Sequence, residues 1–158
     1  MSKFTPPRPS RSVRKCGFAI VASQFNAPYV QGLVDHAEKE LRGLAPNATT
    51  VIHRVPGSFE IPVAVREIAL REKADAIIAC GVIIQGETNH GKNLSRSVTD
   101  ALQRVAVDYG VPVINVVLSF DNETQARERC LENRMNRGTE AARAALEIAK
   151  VMSELRSG

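Results

Sequence analysis

The chain has 158 residues, of which 44% are hydrophobic, enough for one domain with a proper core. Its 21 basic and 17 acidic residues leave a net charge of +4. This charge is too mild and too dispersed to indicate nucleic-acid binding, although it suits an anionic substrate. No apolar run approaches the length of a membrane span. The three cysteines are widely spaced and form no C-x-x-C pair, so we expect neither a metal site nor a redox role for their thiols.

The first fourteen residues differ in composition from the rest of the chain. Residues 1–14 carry Pro6, Pro7 and Pro9 among several basic side chains, which predicts an extended N-terminal arm. The arm lacks the apolar centre of a signal peptide, so we expect a cytoplasmic protein. Residues 15–158 contain no internal repeat and no low-complexity segment, and we predict that they form a single α/β domain.

Strand-like and helix-like segments alternate along this domain. Apolar or β-branched runs predict strands at residues 17–23, 49–55, 76–84 and 111–118. Helical spacing of apolar residues predicts helices at 28–44, 59–71 and 93–109, followed by one broken helix or two successive helices at 123–131 and 137–155. This alternation predicts a parallel four-stranded sheet with helices on both faces.

The strongest single signal is the segment of residues 81–90, GVIIQGETNH, where a buried strand leads into a polar turn. Ligands of open α/β sheets bind at the loops that follow the carboxyl ends of strands. His90 ends this turn, and its imidazole titrates near neutral pH, so we consider it a candidate acid–base group. The alternative is that His90 is a helix cap or a solvated side chain, which is more common for a histidine in a turn.

Aromatic and polar residues gather after the other strands as well. Phe25, Phe59 and Phe120, three of the five phenylalanines, follow the first, second and fourth strands, and each adjoins a polar residue. An exposed ring can stack on a planar heterocycle, while asparagine and glutamate can hydrogen-bond a polyol. The alternative for Phe25 and Phe59 is that they close the edge of the core.

Phosphate binding has two candidate sources. Arg129, Arg134 and Arg137 flank a predicted helix break, and guanidinium groups match phosphate oxygens, although such clusters are more often solvated helix faces. The backbone amides of residues 86–88 lead into a helix N-terminus, which also suits an anion. The sequence contains no G-x-G-x-x-G, no Walker-type lysine, no G-x-S-x-G and no histidine or acidic set with metal-ligand spacing.

Several segments in order carry a family resemblance: 23–26 (SQFN), 55–62 (VPGSFEIP), 86–90 (GETNH), 128–129 (ER), 136–138 (NRG) and 140–142 (EAA). Together they resemble the lumazine synthase family over nearly the whole chain after the arm. The resemblance implies a flavodoxin-like three-layer sandwich. It also implies pentamers or multiples of pentamers, including hollow shells, with active sites shared between adjacent subunits.

The resemblance further implies a transferase. Members of the lumazine synthase family condense 5-amino-6-(D-ribitylamino)uracil with 3,4-dihydroxy-2-butanone 4-phosphate to 6,7-dimethyl-8-ribityllumazine, with release of phosphate and water. This is the penultimate step of riboflavin biosynthesis. The resemblance implies no cofactor and no metal, and it makes riboflavin synthase a candidate partner.

Residue roles are carried over by position. Phe25 would stack on the pyrimidine ring, and the backbone of Val82, Ile83 and Ile84 would hydrogen-bond the edge of the heterocycle. The residues expected around the ribityl chain are Asn26, Ser58 and Glu60, and Phe59 is a further expected substrate-binding residue. The expected phosphate-binding residues are Gln85, Gly86, Glu87, Thr88 and, from a neighbouring subunit, Arg129. His90 would shuttle protons during imine formation and phosphate elimination, and Arg137, at a position that is usually lysine, would lie near the heterocycle carbonyls.

The chain departs from the family pattern at three places. Residues 91–94, GKNL, replace an aromatic–acidic run, and residues 131–135 lack the usual glycines. Asn115, an expected substrate-binding residue, replaces a residue that is often aromatic and packs on the heterocycle. These departures motivate an alternative, a paralogue that binds a flavin or lumazine with little catalysis. A shell-forming assembly protein is a further alternative and is compatible with an enzyme. A receiver domain of similar fold is disfavoured because the third strand has no aspartate at its end.

Overall fold

The parallel sheet forms from the segments with the longest apolar or β-branched runs. The computed structural model describes residues 4–71 and 73–158, and within them the strands are β1 (Gly17–Ser23), β2 (Thr49–Val55), β3 (Ala76–Ile84) and β4 (Val113–Phe120). They pair in parallel in the order β2-β1-β3-β4. β1 and β3 lie in the middle and are almost wholly buried, which explains why they are continuous apolar runs.

Helices cover both faces of the sheet. In the described residues they are α1 (Ala27–Leu44), α2 (Ile61–Arg71), α3 (His90–Tyr109), α4 (Glu123–Cys130) and α5 (Arg137–Ser157), and Ser58–Glu60 forms one turn of 3-10 helix before α2. α1, α4 and α5 share one core with β1 and β3, and α2 and α3 share the other. Side chains of a strand point alternately to these two cores. The predicted three-layer α/β sandwich is therefore confirmed, and its strand order is that of flavodoxin-like folds.

Both predicted bounds of β4 are corrected. β4 begins at Val113 instead of Val111, because Pro112 has no backbone N–H to donate to the sheet and contributes only its carbonyl, which accepts from Ile77 at 2.8 Å. β4 also continues to Phe120, which pairs with Ile84. Phe120 is only 1% exposed, so the prediction that it lies at the rim with the other loop aromatics is wrong.

α3 starts three residues earlier than predicted. Its first residue is His90, with Asn89 as the N-cap, and the N–H of Asn93 donates to the carbonyl of Asn89 at 3.0 Å. Gly91 hides this start in the sequence, because glycine is a poor helix former. His90 therefore lies in the first turn of a helix and not in a loop.

α4 and α5 are two successive helices, which was one of the two predicted possibilities. The side chain of Asn136 connects them by hydrogen bonds. Its side-chain oxygen accepts hydrogen bonds from the N–H groups of Gly138 and Thr139, at 2.8 and 3.3 Å. Its amide donates to the carbonyls of Cys130 and Glu132, at 2.9 and 3.0 Å. Asn136 therefore caps α5 and also holds the end of α4, and it does so while only 2% exposed.

α5 starts in direct contact with the backbone of α1. A Cβ atom at Gly138 would lie 2.1 Å from the carbonyl oxygen of Leu33, a distance that no side chain tolerates. Glycine at this position lets the two helices touch. The first turn of α5, which carries Arg137, is thereby set close to α1.

The predicted arm contacts α1 and α5 of its own chain; its residues 1–3 lie outside the described residues. Glu40 of α1 accepts from the guanidinium of Arg8, at 2.7 Å, and from that of Arg143, at 2.9 Å. The N–H of Ser12 donates to the carbonyl of Leu44 at 2.7 Å. The domain boundary at residue 15 stays a prediction.

Candidate functional site

A cavity of about 390 Å³ opens where the carboxyl ends of β1, β2 and β3 meet α3. Many of the predicted site residues line this cavity: Phe25, Asn26, Ser58, Phe59, Glu60, Val82, Ile83, Ile84 and His90. They come from segments that are far apart in the sequence, and the parallel sheet brings them to one edge. The structure thus places an aromatic ring, a hydroxyl, a carboxylate and an imidazole around one space.

The two phenylalanines at this edge are held out of the core. Phe25 is 71% exposed and Phe59 is 69% exposed. A Cβ atom at Gly57 would lie 3.2 Å from the Phe25 ring and 3.0 Å from a carboxylate oxygen of Glu60. Because residue 57 is glycine, the ring and the carboxylate can lie on either side of the same short turn. A flat ligand on Phe25 would therefore have Glu60 beside it.

Asn26 fixes the backbone that carries Phe25. It has a φ of 55°, in the left-handed region, and its side-chain amide donates to the carbonyl of Val82 at 2.8 Å. Asparagine tolerates this conformation better than most residues, and the hydrogen bond to β3 offsets the strain. Its amide is thus already engaged, and its side-chain oxygen is the group left for a ligand.

Ser58 sits at the floor of the cavity because β3 has a glycine opposite it. A Cβ atom at Gly81 would lie 2.6 Å from the Ser58 hydroxyl oxygen. Ser58 is only 6% exposed. Glycine at position 81 therefore makes room for a hydroxyl that faces the end of β3.

His90 lines the cavity from the first turn of α3. Leu94, one turn further along the same helix, also lines it. Leu94 and Gly57, which also line the cavity, are not among the predicted site residues. The spacing of four residues between His90 and Leu94 was the available signal, because it puts both on one helix face.

Residues 85–89 form the β3–α3 loop, which lies between the cavity-lining residues Ile84 and His90. The Gln85 side chain does not line the cavity. The amide nitrogen of Gln85 donates to the hydroxyl of Ser119 in β4. In the described part of the chain, Gly86, Glu87 and Thr88 make no hydrogen bond, and their backbone N–H groups precede the N-terminus of α3. This is an arrangement that can receive an anion.

Asn115 and Arg137 lie elsewhere, in a second depression of about 320 Å³ beside β4 and α5. The Arg137 guanidinium hydrogen-bonds Glu140, and its Nε and Nη2 atoms are buried without a partner among the described residues. Asn115 donates to the Thr99 hydroxyl at 3.2 Å. One chain alone thus does not bring these two residues to the cavity of Phe25 and His90.

Arg129 lines neither space. It lies in the last turn of α4, half-buried, with one guanidinium nitrogen 3.1 Å from the sulfur of Met135. Cys80 and Cys130 are buried in the core between the sheet and α1, α4 and α5, and burial raises the pKa of each thiol to about 12. Nothing in residues 4–71 and 73–158 groups three or more His, Cys, Asp or Glu side chains as metal ligands.

The fold and the cavity define a class of α/β protein that binds a ligand at the carboxyl edge of a parallel sheet, with groups suited to a flat polar ring and a hydroxylated chain. A family model described as 6,7-dimethyl-8-ribityllumazine synthase matches residues 15–153. The chain belongs to the 6,7-dimethyl-8-ribityllumazine synthase family.

Curated relatives agree with this family. A 6,7-dimethyl-8-ribityllumazine synthase of Polaromonas sp. is 36% identical over 143 residues, which cover 90% of both chains. One from Halorhodospira halophila is 40% identical over 139 residues, 87% of this chain and 89% of the relative. One from Paraburkholderia phymatum is 40% identical over 133 residues, 84% of this chain and 75% of the relative.

Proposed function

We propose that the chain condenses 5-amino-6-(D-ribitylamino)uracil with 3,4-dihydroxy-2-butanone 4-phosphate to 6,7-dimethyl-8-ribityllumazine, releasing phosphate and water. This is the penultimate step of riboflavin biosynthesis. The observation that carries the proposal is the cavity in which Phe25, Glu60 and His90 meet. The family membership supports the reaction, and the cavity has groups that suit the uracil, its ribityl chain and proton transfer.

The uracil would lie on the exposed ring of Phe25, with its edge against the backbone of residues 82–84. Its ribityl chain would extend toward Glu60 and the hydroxyl of Ser58, with Phe59 and the side-chain oxygen of Asn26 beside it. A carboxylate and a hydroxyl satisfy the alternating donors and acceptors of a polyol. Both side chains line the same cavity as Phe25, which supports this placement.

The phosphate of the second substrate would bind at residues 85–88, where the free backbone N–H groups of residues 86–88 adjoin the N-terminus of α3. Its ketone would then lie near the uracil amine. His90, at the start of the same helix, would move protons as the amine adds to the ketone, as water leaves to form the imine and as phosphate is eliminated.

Positioning should contribute more to the rate than proton transfer. Holding two small molecules in reactive geometry removes on the order of 7 kcal/mol or more of the barrier. A general acid–base group contributes roughly a factor of 10². The cavity is therefore the larger part of the catalyst, and His90 the smaller.

We also propose that the active site is shared between subunits of a pentamer or of a larger assembly of pentamers. Asn115 and Arg137 lie in a depression apart from the Phe25 cavity, and Arg129 lies in neither, so a neighbouring chain could supply what one chain lacks. Arg129 would then contact the phosphate, and Arg137 the heterocycle carbonyls.

Riboflavin synthase, which consumes the product, is the proposed partner. The cytoplasm is the proposed compartment, because a phosphorylated substrate does not cross membranes unaided. No helix of the described residues is long and apolar enough to span a membrane.

The test is a direct assay. The purified chain is incubated with both substrates while the lumazine is followed by its fluorescence and the released phosphate by a colorimetric method. Equal molar yields of lumazine and phosphate are expected. Binding of riboflavin or lumazine without formation of any product would contradict the proposal. That result would favour the alternative of a paralogue that binds a flavin or lumazine, which the departures at residues 91–94 and Asn115 suggest.

A further inference from the structure

The side chain of Gln85 bridges three elements at the border of the cavity. Gln85 follows β3, its amide nitrogen donates to the hydroxyl of Ser119 in β4, and its backbone N–H donates to the carbonyl of Phe120 at 2.8 Å. Its amide oxygen lies against the first turn of α3, 2.7 Å from where a Cβ atom of Gly91 would be. Gln85 is half-buried and does not line the cavity.

Gly91 is what leaves space for this amide. A side chain there would meet the Gln85 amide, whose carbon lies 3.3 Å from the same Cβ position, and also Ile83 at 3.3 Å. Gly91 is itself buried. The Gln85 side chain thus fills the space under the first turn of α3, directly below the backbone that carries His90.

The loop beyond Gln85 has no hydrogen bonds of its own. Across the described residues, Gly86, Glu87 and Thr88 are unbonded, and a Cβ atom at Gly86 would meet nothing within 4 Å. The Asn89 side chain does not cap α3. The position of the loop is therefore set at its two ends, by Gln85 on one side and by α3 on the other.

We infer that Gln85 is a positioning residue for the phosphate-bearing substrate, which acts through Ser119 and Gly91 and not by touching the phosphate with its own side chain. This inference rests on the proposed function. The Gln85–Ser119 hydrogen bond holds the start of the β3–α3 loop to β4, so that the N–H groups of residues 86–88 stay oriented toward one point. It also supports the turn of α3 from which His90 reaches the cavity.

The test compares Gln85→Ala, Ser119→Ala and the double variant with the unmodified chain. Ser119→Ala removes one hydroxyl and leaves the cavity lining untouched. Ser119→Thr keeps the hydroxyl and serves as the rescue variant. Gln103→Ala and Ser97→Ala, both exposed on α3, are the matched controls.

The first measurement needs no substrate. Hydrogen exchange should be measured at the two hydrogen-bonded amides that flank the loop, those of Gln85, which donates to Phe120, and of Asn93, which donates to Asn89. It should be about fivefold faster in Gln85→Ala and in Ser119→Ala, since one hydrogen bond of ordinary strength is lost in each. The double variant should exchange no faster than either single variant, because both remove the same bond. Unchanged exchange in Ser119→Ala would overturn the inference, even if Gln85→Ala fails to fold.

The second measurement is kinetic. The KM for the butanone phosphate should rise about fivefold in both single variants and no further in the double variant, while the KM for the ribitylaminouracil stays the same. A rise in Gln85→Ala alone would mean that its side chain binds the phosphate directly, and would overturn the inference. If the unmodified chain makes no lumazine, the proposed function fails, and the exchange experiment still decides the role of Gln85.

Discussion

Phe25 shows how a single residue can be prepared for a ligand. Its ring is 71% exposed, although burying a phenylalanine normally stabilises a fold by about 2 kcal/mol. The left-handed backbone of Asn26 and the small Gly57 keep the ring at the cavity and not in the core. An exposed phenylalanine ring costs the fold stability, and a ligand that stacks on the ring can offset this cost.

Replacing Phe25 tests whether the ring stacks on the uracil. In Phe25→Ala the KM for the ribitylaminouracil should rise about tenfold, because an aromatic stacking contact of roughly 1 kcal/mol or more is lost. Phe25→Tyr keeps the ring and should stay within a factor of about two. Steady-state kinetics with each substrate varied in turn make the measurement. An equal rise for the butanone phosphate would contradict a specific contact with the heterocycle.

Replacing His90 tests the division between positioning and proton transfer. His90→Ala should lower kcat by roughly 10²-fold and leave turnover that is still measurable, since the cavity keeps both substrates together. The measurement is kcat at saturating concentrations of both substrates. A fall to the uncatalysed rate would show that the histidine, and not the cavity, supplies most of the rate.

At the scale of elements, the junction of α4 and α5 depends on one side chain. Asn136 satisfies two N–H groups and two carbonyls inside the protein. Asn122 caps α4 in a simpler way, because its exposed side chain accepts one bond, from the N–H of Gln125 at 3.0 Å. The two asparagines form a natural comparison between a buried and an exposed cap.

We expect Asn136→Ala to lower the free energy of unfolding by about 2–3 kcal/mol, because it removes a cap and leaves buried backbone groups unpaired. The matched control Asn122→Ala should lower it by about 1 kcal/mol. Urea denaturation at one fixed protein concentration gives both values, since association would otherwise contribute. Equal losses in the two variants would contradict a special role for Asn136.

Elements were easier to predict from the sequence than their junctions. β1, β2 and β3 were predicted with their observed bounds, because buried parallel strands are continuous apolar runs between turn residues. β4 was displaced by the effect of Pro112, and the start of α3 was hidden by Gly91. Phe120 was wrongly placed at the rim, because a strand that ends in an aromatic residue looks the same as a loop that begins with one.

The candidate site was predictable only as far as the fold places strand ends together. The segments that carry Phe25, Glu60 and His90 do meet, as expected for the carboxyl edge of a parallel sheet. How Asn115, Arg129 and Arg137 relate to them does not follow from one sequence. These residues lie in β4, in α4 and at the start of α5, and they line no part of the Phe25 cavity. Their roles stay predictions about an assembly.

At the scale of the whole molecule, one carboxylate ties the arm to the helical layer. Burial acts to raise the pKa of Glu40, but the hydrogen bonds from Arg8 and Arg143 outweigh it and hold this pKa below its ordinary value of 4.5. A carboxyl group whose pKa is lower in the folded state stabilises the fold fully above the pKa of the unfolded chain. This contribution is lost as the pH falls through the folded pKa.

Glu40→Gln should therefore lower the free energy of unfolding near pH 7 by about 1 kcal/mol and make a smaller difference at about pH 3. The control is Glu67→Gln, whose partner Arg71 is exposed, and it should change stability little at either pH. Urea denaturation at the two pH values provides the comparison. A difference that stays the same at low pH would show that Glu40 acts through packing and not through its charge.

Subunit sharing can be tested by mixing two inactive chains. Glu60→Gln and Arg129→Ala are each expected to lose activity, the second chiefly by a higher KM for the butanone phosphate. If neighbouring chains supply these two residues to one site, a randomly mixed oligomer has both intact in about a quarter of its sites. Assayed lumazine formation should rise accordingly after co-expression. Activity no greater than the average of the two variants would place both residues in one chain.

The contact of Gly138 with α1 restricts which residues position 138 can accept without moving α5. A methyl group at that point would lift the whole leading end of α5 and carry the adjacent guanidinium of Arg137 outward with it. The chain could remain folded and still lose its reach toward a neighbour. If the proposed assembly forms, a residue with no side chain sets how far Arg137 reaches toward the neighbouring protomer.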